Sequence, residues 1–253
     1  MKRRTRPRTT ESVSEFRAIH VPHGTAFLHG LEPQEIDVIL AAARPRRFSA
    51  KGVMTYQGQP ADRILLLWKG RARYFFDAPD GKQLILRWIT PGEIFGAVAL
   101  VDRPSKYIVS TEAVRDSVAL VWSGETIRAL SRRFPPLWEN AFFVSTDYMS
   151  WYVAAHAALT SQSARERLAH VLLELAPRIG EKVSDNLELE VTNEELAYSA
   201  NITPYTTSRL ISEWHRSGVI RKRYGKIVLR SPEKLFPPPD TTRKHKRNIA
   251  PEQ

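Results

Sequence analysis

The chain has 253 residues, room for two ordinary domains, and with 42% hydrophobic and 26% charged residues it is neither collagen-like nor wholly disordered. The apolar runs, such as Ile64–Trp68 and Val118–Trp122, are at most six residues long, which excludes a membrane-spanning helix of about 18 or more. With no cysteine there are no disulfides, thiolate metal sites or cysteine nucleophile.

The net charge of +11 is unevenly placed. Residues 1–10 hold five basic residues and no acid, and residues 201–230 hold seven against Glu213 alone. The stretch between them is close to neutral. A localised basic block on a neutral background is the footprint of a polyanion binder. The basic start Met1–Arg8 leads into Thr9-Thr10-Glu11-Ser12 and not into an apolar signal core, so a cytoplasmic location is expected.

In chain order, residues 1–18 read as a disordered basic arm. Pro33–Ala43 reads as a helix with Ile36, Ile39 and Leu40 on one face. From Arg47 to Trp122, short extended runs alternate with turn chemistry: Gly52–Tyr56, Ile64–Lys69, Ala72–Phe76, Leu84–Ile89 and Val114–Val121. Asp80-Gly81 marks a hairpin, and the whole suggests a small barrel or sandwich. Ser123 caps a helix over Gly124–Arg132. Pro135-Pro136 restarts the chain into a long helix to about Leu159, with Leu137, Ala141, Val144, Tyr148, Tyr152 and Ala155 along one stripe. That stripe is read as a dimer contact, with packing inside the domain as the alternative. A further helix covers Ala164–Ala176.

The most informative segment follows. Thr192-Asn193-Glu194-Glu195 is a capping box opening a short helix over Asn193–Ser199. Thr203 caps again, Pro204 takes the first helical position, and the second helix runs to Ser217 before Gly218. Helix, short turn, helix is the layout that places a second helix in the DNA major groove. Val219–Arg223 and Lys226–Arg230, joined at Tyr224-Gly225, read as a two-stranded wing. Residues 237–253 read as a disordered tail.

Leu187–Leu235 resembles the C-terminal DNA-binding domain of Crp/Fnr transcription regulators. There the second helix opens Ser-Arg-Glu-Thr-hydrophobic-Ser-Arg; this chain has Thr203-Pro204-Tyr205-Thr206-Thr207-Ser208-Arg209 and keeps Thr206, Ser208 and Arg209. Upstream, Gln57–Arg63, Leu65–Gly70 and Pro91–Gly96 look like turns of that family's cyclic-nucleotide-binding β-roll, and Arg165–Ala176 resembles its connecting helix.

The resemblance implies an α+β fold. Its β-roll sensor covers residues 19–135, a dimerisation helix 136–160 and a winged helix-turn-helix 161–236. It also implies a homodimer on double-stranded DNA, with RNA polymerase as a candidate partner and a small-molecule effector of unknown identity. Arg209 is expected to read a guanine, with Ser208 and Tyr205 nearby. Thr203, Thr206, Arg221, Lys222, Arg223 and Lys226 are expected at phosphates. The implied effector pocket is Gly96, Ala97, Val98, Lys106, Tyr107 and Tyr152.

Departures from the family pattern carry weight of their own. The family's Gly-Glu of the ribose site is Gly96-Ala97 here, and Lys106-Tyr107 stands for Arg-Ser at the phosphate. Lysine is a point charge without arginine's fork. Cyclic AMP is therefore not the expected effector; the alternatives are a divergent cassette using Lys106, or a nucleotide sensor whose C-terminal domain binds RNA or protein. His20, His23 and His29 lie outside the β-roll, and no haem or other cofactor is expected. No Gly-x-Ser-x-Gly, His-Glu-x-x-His or phosphate-binding loop is present, so no catalytic residue or metal site is assigned.

Overall fold

Pro33 opens α1 (Pro33–Ala41), where Glu32 and Glu35 close a reciprocal capping box. The computed structural model describes residues 25–236 apart from 80, 82, 104 and 185. The two expected basic tails, together with His20, His23 and Asp80, lie outside the described residues. The chain divides between Ala155 and His156 into two compact units.

The first unit is built on six antiparallel strands: β1 (Arg44–Phe48), β2 (Val53–Thr55), β3 (Arg63–Asp77), β4 (Gln83–Ile89), β5 (Ile94–Phe95) and β6 (Ser110–Ser123). The order is β1-β6-β3-β4, with β2 also on β6 and β5 on β3. Several sequence expectations are corrected here. The two runs Ile64–Lys69 and Ala72–Phe76 are one strand, because Gly70 forms an irregularity in register and not a turn. Its φ is +103, and a Cβ there would stand 2.7 Å from the Asp116 carbonyl oxygen, so only glycine fits. Arg44–Phe48 and Ile94–Phe95 are strands that the alternation did not suggest. Val114–Val121 extends to Ser110–Ser123, and Gly52–Tyr56 shortens to Val53–Thr55.

Two apolar clusters lie against this sheet system, one around Leu65, Leu67, Ile89 and Phe95. The other joins Ile64, Leu66, Trp122 and Ile127 to Phe27 and Ile39. The Trp122 indole donates to the Ile39 carbonyl at 2.8 Å, so this buried ring leaves no donor unpaired. Helix α2 (Gly124–Arg133) is capped by Ser123 as expected.

Helix α3 (Pro136–Ser161) is 26 residues long. Its expected dimer stripe is corrected in part. Leu137 and Ala141 are buried in the chain's own core with Val144 packed against it, and the Tyr148 hydroxyl donates to the Ile94 carbonyl at 3.2 Å. The apolar face left open carries Trp138, Phe142, Met149, Tyr152, Val153 and Leu159, each 42–63% exposed.

The second unit contains α4 (Ala164–Ile179), β7 (Glu181–Val183), β8 (Asn186–Glu190), α5 (Asn193–Ser199), α6 (Pro204–Arg216), β9 (Ile220–Arg223) and β10 (Lys226–Leu229). The expected two-stranded wing is the edge of a four-stranded antiparallel sheet in the order β7-β8-β10-β9. Its core is formed by Leu168, Leu172, Leu189, Leu196, Ile211 and Trp214, among others. No helix among the described residues is long and apolar enough to cross a membrane.

Candidate functional site

Helix α5 begins where the sequence places it: Thr192 Oγ1 accepts from the Glu195 N–H at 3.2 Å, and the Glu195 carboxylate accepts from the Thr192 N–H at 2.9 Å. The turn to α6 passes through Asn201 in the left-handed region, φ +49. Arg167 stitches this turn down. Its guanidinium donates to the carbonyls of Gln162 at 2.7 Å, Ala200 at 3.0 Å and Asn201 at 3.3 Å. Thr203 then caps α6 by accepting from the Thr206 N–H at 3.1 Å, and the two hydroxyls lie 2.9 Å apart.

One side of α6 buries Thr207, Leu210, Ile211 and Trp214. The opposite side presents Tyr205, Ser208, Arg209 and Arg216 to solvent, a run of polar, cationic and aromatic groups at helical spacing. Arg216 belongs to this face but was not among the expected contacts; its position one turn beyond Ser212 on the same stripe was the available signal. Arg209 does not stand alone. Its guanidinium donates to Glu213 at 2.7 Å, and the other oxygen of that carboxylate accepts from Arg165 at 3.0 Å. Arg165 in turn lies over the buried Trp214 ring, 5.1 Å from its centroid.

The four wing cations separate into two kinds. Glu188, on β8 and 7% exposed at its side chain, accepts from Lys226 Nζ at 2.6 Å and from Arg223 at 3.1 Å. Lys226, first, and then Arg223 hold that carboxyl below its usual range, while Glu188 raises the Lys226 ammonium. Arg221 and Lys222 are exposed and have no ion-pair partner among the described residues.

In the first unit a cavity of about 420 Å³ opens between β3, β4, the Gly96–Val109 segment and α3. Gly96, Ala97, Val98, Tyr107 and Tyr152 line it, as the resemblance implies, but Lys106 does not. Lys106 is exposed, and its backbone bridges to Pro60. Tyr107 is 7% exposed. Its hydroxyl donates to the Arg63 carbonyl at 2.8 Å and accepts from the Arg63 N–H at 3.2 Å. Burial pushes this phenol up to about 12. Ala97 offers no acceptor where the family pattern has a carboxylate.

A β-roll with a cavity, followed by a helix-turn-helix with a basic wing, is the layout of a DNA-binding transcription regulator. The cyclic nucleotide-binding domain model matches residues 45–134 and the Crp-like helix-turn-helix domain model residues 166–236. The chain belongs to the Crp/Fnr family of transcription regulators. The cyclic AMP receptor protein of Thermus thermophilus is 28% identical over 208 residues, covering 82% of this chain and 93% of that protein. A CRP-like cAMP-activated global transcriptional regulator of Mycobacterium tuberculosis is 23% identical over 208 residues, covering 81% and 92%. Among solved structures, a Crp/Fnr-family transcriptional regulator of Thermus thermophilus superposes with a TM-score of 0.65 at 27% identity, covering 76% of this chain and 96% of that one.

Proposed function

We propose that the protein acts as a homodimer on a two-fold-symmetric DNA site. In this reading α6 enters the major groove and Arg209 reads a guanine. The observation that carries it is the exposed face of α6, where Tyr205, Ser208, Arg209 and Arg216 share one side of a helix whose other side is core. Arg209 offers a planar fork that suits guanine O6 and N7, and Glu213 restricts its rotamers before contact. Thr203 and Thr206, at the helix start, suit a phosphate, since the first turn presents unpaired N–H groups. Arg221 and Lys222 are the wing cations free to follow the backbone.

The partner surface is the open apolar face of α3, from Trp138 to Leu159. Two copies paired there would present two α6 helices to half-sites about 34 Å apart. Pro204 and Tyr205 replace the family's usual Arg-Glu pair, so the half-site differs from the family's common TGTGA and TTGAT types. Selection of bound fragments from random DNA by the purified protein, followed by footprinting, tests this. An inverted repeat with half-site centres about one DNA turn apart is the expected product. Binding to all sequences alike, or tighter binding to RNA, would overturn the reading.

A further inference from the structure

Glu213 is the single acid among residues 201–230, and it lies one turn beyond Arg209 on α6. A carboxylate there subtracts from the attraction of a basic block for DNA phosphates. Helix stability does not account for it. A pair at i,i+4 with the cation N-terminal to the acid is the less favourable order, and exposed pairs contribute little in any case.

The second partner of Glu213 comes from 48 residues away. Arg165, in the first turn of α4, donates from Nη1 to one carboxylate oxygen at 3.0 Å, while Arg209 donates from its own Nη1 to the other at 2.7 Å. Arg165 is presented by a fixed element. Its guanidinium lies 5.1 Å from the centroid of the fully buried Trp214 ring. Its helix starts in the Ser163–Glu166 capping box, and the neighbouring Arg167 bonds the Ala200 and Asn201 carbonyls of the turn before α6.

With one guanidinium on each oxygen, Glu213 holds Arg209 through Nη1 alone. Nε and Nη2 of Arg209 have no partner among the described residues. That adjacent pair of donors is an edge that fits guanine O6 and N7. Without Arg165 the second oxygen of Glu213 is released, and the carboxylate can close on Arg209 as a fork, in competition with the base. Given that Arg209 reads a guanine, we propose that Arg165 is a positioning residue for base reading. It occupies one oxygen of Glu213, so that Glu213 orients Arg209 without capturing the edge that meets the guanine.

Fluorescence anisotropy with the full-length protein measures affinity for the selected site, for that site with the guanine pair replaced, and for random DNA. Arg209→Ala locates the pair, at which a two-bond contact discriminates by about 5- to 150-fold. Arg165→Met, which keeps a stem over Trp214, should lower that preference by about threefold or more and leave other positions alone. Glu213→Ala should lower it too, and adding Arg165→Met to Glu213→Ala should lower it no further, because the competing carboxylate is gone. Arg165→Lys should stay within about twofold of wild type, since an ammonium still holds the carboxylate. Equal losses of preference from Arg165→Met with and without Glu213, or equal losses on the site and on random DNA, would show Arg165 acting through packing or charge alone and would overturn the proposal. So would an unchanged preference in Glu213→Ala, which decides alone if Arg165→Met lacks a wild-type thermal transition. The two readings fail differently: if Arg209→Ala alters preference at no position, base reading by Arg209 is wrong, whereas if it does and the Arg165–Glu213 cycle is additive, only the role of Arg165 is wrong.

Discussion

Lys222 and Lys226 stand on neighbouring wing strands, yet they should behave differently on DNA. Lys222 is exposed and unpaired among the described residues, whereas Lys226 is held by Glu188 at 2.6 Å. Each phosphate neutralised by a protein cation releases counterions and steepens the slope of log K against log salt by about 0.9. Two wings per dimer make the loss about 1.8 for Lys222→Ala. Between 50 and 200 mM salt, the wild type should then weaken about twelvefold more than this variant. Lys226→Ala should flatten the slope less, because Glu188 already compensates part of its charge. Glu188→Gln removes one negative charge per wing, two per dimer, and the slope should steepen by up to about 1.8. The clamp is closed at neutral pH. A carboxyl whose folded value is depressed keeps its contribution above the ordinary carboxylate range and loses it only as pH falls through the lower folded value. Fluorescence anisotropy with a labelled site across a salt series measures all three slopes. If Lys226→Ala flattened the slope as much as Lys222→Ala, or Glu188→Gln left it alone, the partition of wing cations would be wrong.

Light scattering should give twice the 28.9 kDa protomer mass at micromolar concentration. Phe142→Glu with Val153→Glu should return a monomer, because both lie on the open face of α3. Arg209→Ala should cost about 1–3 kcal/mol on the selected site and relax preference at one base position; equal losses on selected and random DNA would remove Arg209 from base reading. Tyr107 is a phenol whose neutral form the fold favours. Its contribution to stability is intact below the ordinary tyrosine value and is lost as pH rises from about 10 to 12. A titration of tyrosinate absorbance should show an ionisation near pH 12 that is missing in Tyr107→Phe.

The helix-turn-helix was legible because its signals are local. Thr192 with Glu195, Thr203 with Pro204, and Gly218 each act within one turn of the residue that carries them. The β-roll was harder wherever its reasons lie far along the chain. Arg44–Phe48 reads as a charged, Pro-containing loop, yet it forms an edge strand on β6, the one place in a sheet where Pro45 is tolerated. Gly70 carries the same letter in a turn and in an irregular strand; only its approach to Asp116 and Ser117, more than 40 residues away, distinguishes the two. The long helix was ambiguous for another reason. It is apolar on two sides, so a stripe chosen by spacing alone mixed core positions such as Leu137 with open ones such as Tyr152. The ion pairing of the wing was not legible, since Glu188 is 38 residues from the lysine it holds.

The cavity carries the last prediction, that cyclic AMP does not control this protein. In the family pattern a carboxylate holds the ribose and an arginine grips the cyclic phosphate. Here the first position is Ala97, which lines the cavity without an acceptor, and the second is Lys106, which is outside it. Tyr107 cannot substitute readily, because its hydroxyl is bonded to both the N–H and the carbonyl of Arg63. Its ring also packs against Gly96, where even a Cβ would come within 3.1 Å. Each lost charge-assisted bond costs about 1.5–3 kcal/mol, so two move a micromolar ligand by about two to four orders of magnitude, to roughly 0.1–10 mM. Isothermal titration should therefore detect no tight binding of cyclic AMP or cyclic GMP. Ala97→Glu with Lys106→Arg should restore little, since residue 106 does not line the cavity. A dissociation constant below about 10 μM for wild type, accompanied by tighter DNA binding, would refute this and make Lys106 a working phosphate ligand. Tight binding by the double variant alone would show instead that the segment can turn residue 106 inward, and that charge, not placement, is what the natural chain lacks.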